Sequence, residues 1–186
     1  TKLATRHLKD GGLVLYDAST SYYEGKTCPL ARFGHDRDGK KLPVILYGLL
    51  TDQVGRPVAV EVYAGNTGDP TTVADQVDKL RKRFGLSHVV LVGARGMLTQ
   101  PQIKTLREHP GLGWISCLRS GSIRSLIDKG HLQRSLFDET NLAEIQSPDF
   151  PGERLIACLN PLLADERARK RQELLEATEK TLERLS

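Results

Sequence analysis

Cysteine is scarce, with Cys28, Cys117 and Cys158 far apart and no pair at CxxC spacing. An odd, scattered set builds neither a disulfide framework nor a four-ligand zinc site, so these read as reduced small hydrophobes in a cytoplasmic protein. His7, His35, His88, His109 and His131 are equally dispersed, without the HExxH context of a zinc enzyme. No apolar run approaches the roughly 20 residues a membrane span needs, which argues against a membrane protein. The GxSxG elbow of serine hydrolases is missing, and Gly93-Ala94-Arg95-Gly96 has the spacing of neither GxGxxG nor GxxxxGK[ST]. Serine hydrolysis and a phosphate-cradling nucleotide loop are therefore set aside. There is no internal repeat and no low-complexity segment.

What is present is ordinary for a globular chain: 186 residues, 39% hydrophobic and 27% charged. That length holds one compact domain, or one domain with an appended element. The net charge of +4 and a pI near 9.0 permit an anionic partner such as nucleic acid without demanding one. Met97 is the sole methionine, and residues 1–12 are polar with no signal-peptide pattern. We expect a piece of a larger protein.

Hydrophobic pattern and turn residues predict the element order. Leu13 to Asp17 reads as a buried strand ending in a carboxylate, and Gly25 to Lys41 as a glycine-containing basic loop. Val44 to Leu50 and Pro57 to Tyr63 read as an antiparallel hairpin beside that strand. Asp69 and Pro70 predict an N-cap and first-turn proline for a helix reaching Phe84. In it Val73, Val77 and Leu80 face inward, Asp75, Asp78, Lys79 and Arg83 face water, and Gly85 ends the run. His88 to Gly93 is a further strand, Gly96 a tight-turn residue, Thr99 to Pro101 a helix start, and Trp114 to Leu118 a last strand. The order β-β-β-α-β-α-β predicts an α/β ribonuclease-H-like core, a mixed sheet flanked by helices with its first strand central and its fourth beside it. We expect that core over residues 1–119, an inserted or loosely structured region over 120–159 with a strand near Arg154 to Cys158, and a long charged C-terminal helix over 160–186. Asn160 and Pro161 would start the helix. Asp165/Arg169, Glu166/Lys170 and Glu176/Lys180 would pair along it, with a thin seam of Ala164, Ala168, Leu175, Leu182 and Leu185.

In such a core, acids at the ends of the first and fourth strands meet. Paired carboxylates are hard oxygen ligands suited to two-metal phosphoryl transfer. Asp17 stands where the first acid belongs; from position alone a strand-terminating turn residue is an equal reading.

The runs Leu13-Val14-Leu15-Tyr16-Asp17-Ala18-Ser19-Thr20-Ser21-Tyr22-Tyr23-Glu24-Gly25, Tyr47-Gly48-Leu49-Leu50, Val60 to Asp69 and Leu91-Val92-Gly93-Ala94-Arg95-Gly96-Met97 are together similar to the catalytic domain of bacterial insertion-sequence transposases. These are the DDE enzymes of the insertion-sequence-four type. The similarity runs from about residue 10 to the end, Asn160-Pro161 included. It implies that Asp17 is the first metal-binding aspartate and that two Mg²⁺ or Mn²⁺ ions serve the intact enzyme. The family's second acid sits in a Val-Gly-Asp-Arg-Gly pattern where this chain has Ala94, whose methyl group cannot ligate a metal. We therefore expect the chain to be catalytically disabled, and both an engineered and a natural origin of Ala94 stay open. The third acid, a glutamate on a helix, is expected beyond Ser186; Glu166, Glu173, Glu176 and Glu179 read as a solvated face. The implied partners are double-stranded DNA, transposon terminal repeats among it, and a second copy of the chain.

Cationic residues supply the expected phosphate contacts. Lys26, Arg32, His35, Arg37, Lys40 and Lys41 gather with Phe33 in the basic loop, and Arg95 follows the lost acid. A solvated mobile loop and a surface salt bridge are the plain alternatives. Asp69 could approach the metals or simply cap its helix. Two other functions fit the same residues: a non-catalytic DNA-binding or dimerising remnant, and a ribonuclease-H-like nuclease outside transposition.

Overall fold

The computed structural model describes residues 2–35 and 38–184. They form two compact units, Thr1–Arg119 and Ser120–Ser186.

The first unit is built on a five-stranded sheet. Its strands are β1 (Gly12–Tyr22), β2 (Val44–Asp52), β3 (Pro57–Ala64), β4 (Val89–Gly93) and β5 (Leu112–Ile115), in the order β3-β2-β1-β4-β5. β1 runs antiparallel to β2 and parallel to β4, β2 is antiparallel to β3, and β4 is parallel to β5. This mixed α/β sheet with β1 at its centre is the ribonuclease-H-like arrangement the element order predicts. Alternation decides which side is covered: Val44, Leu46, Gly48, Leu50 and Asp52 of β2 are buried and the residues between them half-buried. Val14, Tyr16, Leu46, Leu50 and Leu91 pack with Val73, Val77, Leu80 and Leu106 from the helices. On the other face, which carries Asp17, the side chains of Leu13, Val60, Val62 and Ile115 are exposed.

Several sequence expectations need correction. β1 does not stop at Asp17 but continues to Tyr22, because antiparallel pairing of Ala18–Tyr22 with the first half of β2 satisfies its backbone. Asp17 is therefore no turn residue. A short polar helix, α1 (Lys2–His7), precedes β1; only Ala4 and the following Leu8 point inward, too thin a pattern to read. The predicted helix over 70–84 is composite: a 3₁₀ turn at Asp69–Thr72, α2 (Val73–Asp78) and a π turn at Lys79–Arg83, stopped by Gly85 at φ +69°. Its N-cap is Gly68; Asp69 is already inside, its carbonyl accepting a hydrogen bond from Thr72 Oγ1 at 2.6 Å. Lys79 is buried rather than wet, since Glu61 on β3 offers a countercharge at 2.5 Å and Gln76 Oε1 a second acceptor at 3.3 Å. After β4 comes α3 (Gln100–Arg107), preceded by Thr99 as expected, and β5 ends at Ile115, short of Leu118.

In the second unit the stretch read as loosely structured holds α4 (Ser120–Asp128) and a strand, β6 (Leu142–Ile145), paired antiparallel with β7 (Leu155–Cys158). Glu144 and Arg154 clamp that hairpin at 2.9 Å, and Lys129 holds Asp149 at 2.6 Å. The serines and glycines hid α4, whose one buried residue is Leu126. α5 (Pro161–Glu183) starts as expected, Asn160 Oδ1 accepting the Leu163 N–H at 3.1 Å. Glu166 and Lys170 pair at 2.7 Å, whereas Arg169 turns forward to Glu173 and Glu176 accepts from Gln172 instead of their expected partners. Leu185 lies outside the described residues. Among the described residues no helix is long and apolar enough to cross a membrane.

Candidate active site

The parallel pairing of β1 with β4 builds the site. It runs from Gly12 opposite Val89 to Tyr16 opposite Gly93. One step further on, Asp17 and Ala94 are the next residues of the two chains, on neighbours that in any sheet lie about 4.8 Å apart. Both are exposed.

A clamp outside the sheet fixes this register. Asp10 Oδ1 accepts hydrogen bonds from the backbone N–H groups of Ser87 at 2.7 Å and His88 at 2.6 Å, and Gly11 N–H donates to the His88 carbonyl at 2.6 Å. The hydrogen bond from the His88 N–H, above all, holds the Asp10 carboxyl below the usual range. The start of β1 is thereby bolted to the start of β4, and a slip by one residue would turn Asp17 to the other face.

Beneath Asp17, Tyr16 reaches the covered face and donates to Thr72 Oγ1 at 2.7 Å. Burial pushes its phenol pKa up. Its ring occupies the space a side chain would need at position 48: a Cβ on Gly48 would stand 2.3 Å from the Tyr16 oxygen. Nearby, Tyr63 donates to Asp75 at 2.6 Å and accepts from Gln76, and its pKa is raised, first by burial. The central strand is thus anchored from below by Thr72 of the 3₁₀ turn, and β3 is tied to α2 beside it.

Above, Leu15, Asp17, Leu49, Thr51, Val92 and Ala94 line an open cleft of about 380 Å³. Leu49 and Thr51 were not singled out from sequence; the β1–β2 register, Asp17 opposite Leu49, is the signal that finds them. Ala94 is well held. Its carbonyl accepts from Met97 N–H at 3.0 Å and Ser116 Oγ at 3.4 Å, and Met97 and Leu98 are buried behind it. Gly93 matters for packing, since a Cβ there would meet Leu98 at 3.0 Å. Gly96 lies in the turn over 95–97 that the Met97 N–H to Ala94 carbonyl bond closes, as expected, but without a left-handed conformation and facing open space.

The structure brings Asp17 and position 94 together at the cleft, and Arg95 follows in the chain without lining it. Arg95 is exposed and has no ion-pair partner among the described residues. The basic loop is a separate feature. Arg32 forms a β-bridge with Val44 and donates to the Ala31 carbonyl at 3.0 Å. Lys40 stacks on Tyr22 at 4.8 Å, five residues beyond Asp17 and so roughly 17 Å along β1. Lys26 and Lys41 lie in the same connection between β1 and β2. Arg37 lies outside the described residues.

No group of three or more Asp, Glu, His or Cys side chains able to hold a metal occurs among the described residues. One carboxylate facing a methyl group does not fit a two-metal centre.

A family model described as Transposase DDE domain matches residues 9–184. The chain belongs to this DDE transposase family. Searches of curated proteins and of solved structures returned no match. DDE transposases recombine DNA and generally use divalent metal ions. The matched span takes in the five-stranded sheet and α5.

Proposed function

We propose that this chain is the catalytic core of an insertion-sequence transposase of the insertion-sequence-four type, disarmed at its second acid. The observation that carries the reading is the register ending at Tyr16 and Gly93, which makes Asp17 and residue 94 neighbours at the mouth of one cleft. An aspartate at position 94 would give that cleft the paired carboxylates that Mg²⁺ or Mn²⁺ requires. With Ala94 the residues present do not make that pair, so no metal-dependent step is assigned to the chain as it stands. The substrate is double-stranded DNA, transposon ends in particular, in the bacterial cytoplasm. Arg95 beside the cleft and Lys26, Arg32, Arg37, Lys40 and Lys41 in the β1–β2 connection are the phosphate contacts of this reading. The division into a core over 1–119, an inserted region over 120–159 and a helix over 160–186 belongs to the same proposal.

Nicking of supercoiled plasmid tests it. In a chain extended beyond Ser186 to take in the expected third acid, the Ala94→Asp form is expected to nick with Mg²⁺, while the unsubstituted form and the Ala94→Asp/Asp17→Asn double variant do not. Equal nicking by all three would overturn the assignment of this cleft.

Ala94 itself favours one second reading, a non-catalytic DNA-binding remnant. Under it the Ala94→Asp chain binds DNA, does not nick, and its affinity falls with salt but is indifferent to metal.

A further inference from the structure

Residues 79–107 hold seven cations and no acid. Lys79 is buried against Glu61, and Arg95 follows position 94. The other five, Arg81, Lys82, Arg83, Lys104 and Arg107, fall in the last turns of two elements, the π turn Lys79–Arg83 and α3. Both elements pack through Leu80 and Leu106 on the covered face of the sheet, the face away from Asp17. Cations near a helix C-terminus are favourable in any case. The helix dipole does not require that two separate elements bring theirs to one edge.

Two contacts fix these ends. Arg81 Nη1 donates at 2.8 Å to both the Ser87 and the Pro110 carbonyls, tying the turn before β4 to the turn before β5. Arg107 lies over the Trp114 ring at 5.6 Å. Val89 at the start of β4 is level with Leu112 of β5 and Gly12 of β1. The cations therefore gather at the end of the sheet five residues of β1 before Asp17, roughly 17 Å from it. Against them stand Asp78, paired with Lys82 at 2.9 Å, Glu108, and Asp10, whose carboxylate is taken by two backbone N–H groups. Arg83 and Lys104 are exposed and have no acidic partner among the described residues, and Arg81 Nε and Nη2 have no acceptor there.

We propose that this edge of the helix layer is a second surface for double-stranded DNA, separate from the cleft and from the basic loop, holding the sugar-phosphate backbone of a duplex that the cleft does not hold. Surplus cations mounted on regular elements suit phosphates fixed along a duplex. A single strand is the poorer ligand, because the aromatic rings here, Phe84 and Trp114, pack on the core and offer no free face for stacking bases. Contacts to phosphate alone carry no sequence preference. Recombination joins two DNA segments, and a chain with two such surfaces brings two duplexes together. The inference rests on the family's action on DNA, not on the assignment of Asp17 and position 94.

Binding of a fluorescent duplex of random sequence, read by anisotropy over a range of salt, tests the surface in the full chain. In a Lys26→Gln/Lys40→Gln/Lys41→Gln background, which silences the basic loop, the duplex should still bind at low salt. Adding Arg83→Gln/Lys104→Gln should weaken binding about tenfold or more and reduce the slope of log affinity against log salt by about 2. The circular dichroism melt should not move, since neither side chain has a partner to lose. Bridging separates the two surfaces. The unsubstituted chain should retain the labelled duplex on beads that carry a second duplex, whereas the Arg83→Gln/Lys104→Gln chain should bind the beads and retain far less. Loss of all binding in the loop-silenced background, an affinity and slope indifferent to Arg83→Gln/Lys104→Gln, competition by polyglutamate as strong as by duplex, or full bridging by that variant would each overturn the proposal. Failure of the Ala94→Asp form to nick would overturn the cleft assignment alone, because none of these readouts depends on it.

Discussion

Asp10, just before β1, accepts two successive backbone N–H groups from the residues that lead into β4. Its carboxyl titrates below the usual range, so the folded state binds its proton less readily than the unfolded chain does. The stability this confers is complete above the unfolded pKa, about 4, and is lost as pH falls through the lower folded value. Asp10→Asn should therefore lose less stability than the parent on acidification below about pH 4, which denaturant melts across that range would show. Gly48 is a second single-residue constraint. Gly48→Ala drives a methyl group into the pinned Tyr16 ring and should cost about 1–3 kcal/mol in urea unfolding. At this scale the sequence revealed Asp17 as a carboxylate after an apolar run. It did not reveal that Asp17 sits inside a strand, because the small polar run Ser19-Thr20-Ser21 lacks the apolar pattern that marks a strand and is held as one by pairing with β2. Lys79 misled for a related reason: the acceptor at shortest range that makes burial of its ammonium tolerable, Glu61, is distant in sequence.

Among the elements, β1, β2 and β4 were legible because apolar runs bounded by glycine and turn residues leave few other readings. The helix after Asp69 was legible in position but not in kind: Val73, Val77 and Leu80 pack in the core as their spacing predicts, while the succession of 3₁₀, α and π turns leaves no mark in that spacing. α4 was hidden by Ser120, Gly121 and Ser122, residues poor in helix propensity. α5 announced itself through Asn160-Pro161 and its charge pattern. Removing the cap with Asn160→Ala should destabilise α5 by about 1 kcal/mol, read as lost ellipticity and an earlier melt of that helix.

For the molecule as a whole, a formal charge of +4 is modest, so affinity for DNA has to come from where cations lie rather than from how many there are. If Arg95 contacts phosphate, Arg95→Ala should lower affinity evenly across DNA sequences and reduce the slope of log affinity against log salt by about 1. The site was half legible from sequence. The position pair 17 and 94 followed from motif resemblance, while the cleft around it, with Leu49 and Thr51, needed the strand register. The central claim is that these two positions are the paired acid sites of a DDE transposase core, one of them emptied by Ala94. Titration with Mn²⁺, followed by calorimetry, tests it without requiring turnover. The account predicts that Ala94→Asp binds Mn²⁺ about tenfold or more tightly than the unsubstituted chain, and that adding Asp17→Asn abolishes the gain. Equal Mn²⁺ affinity with and without the aspartate at position 94, or a gain that survives Asp17→Asn, would contradict it.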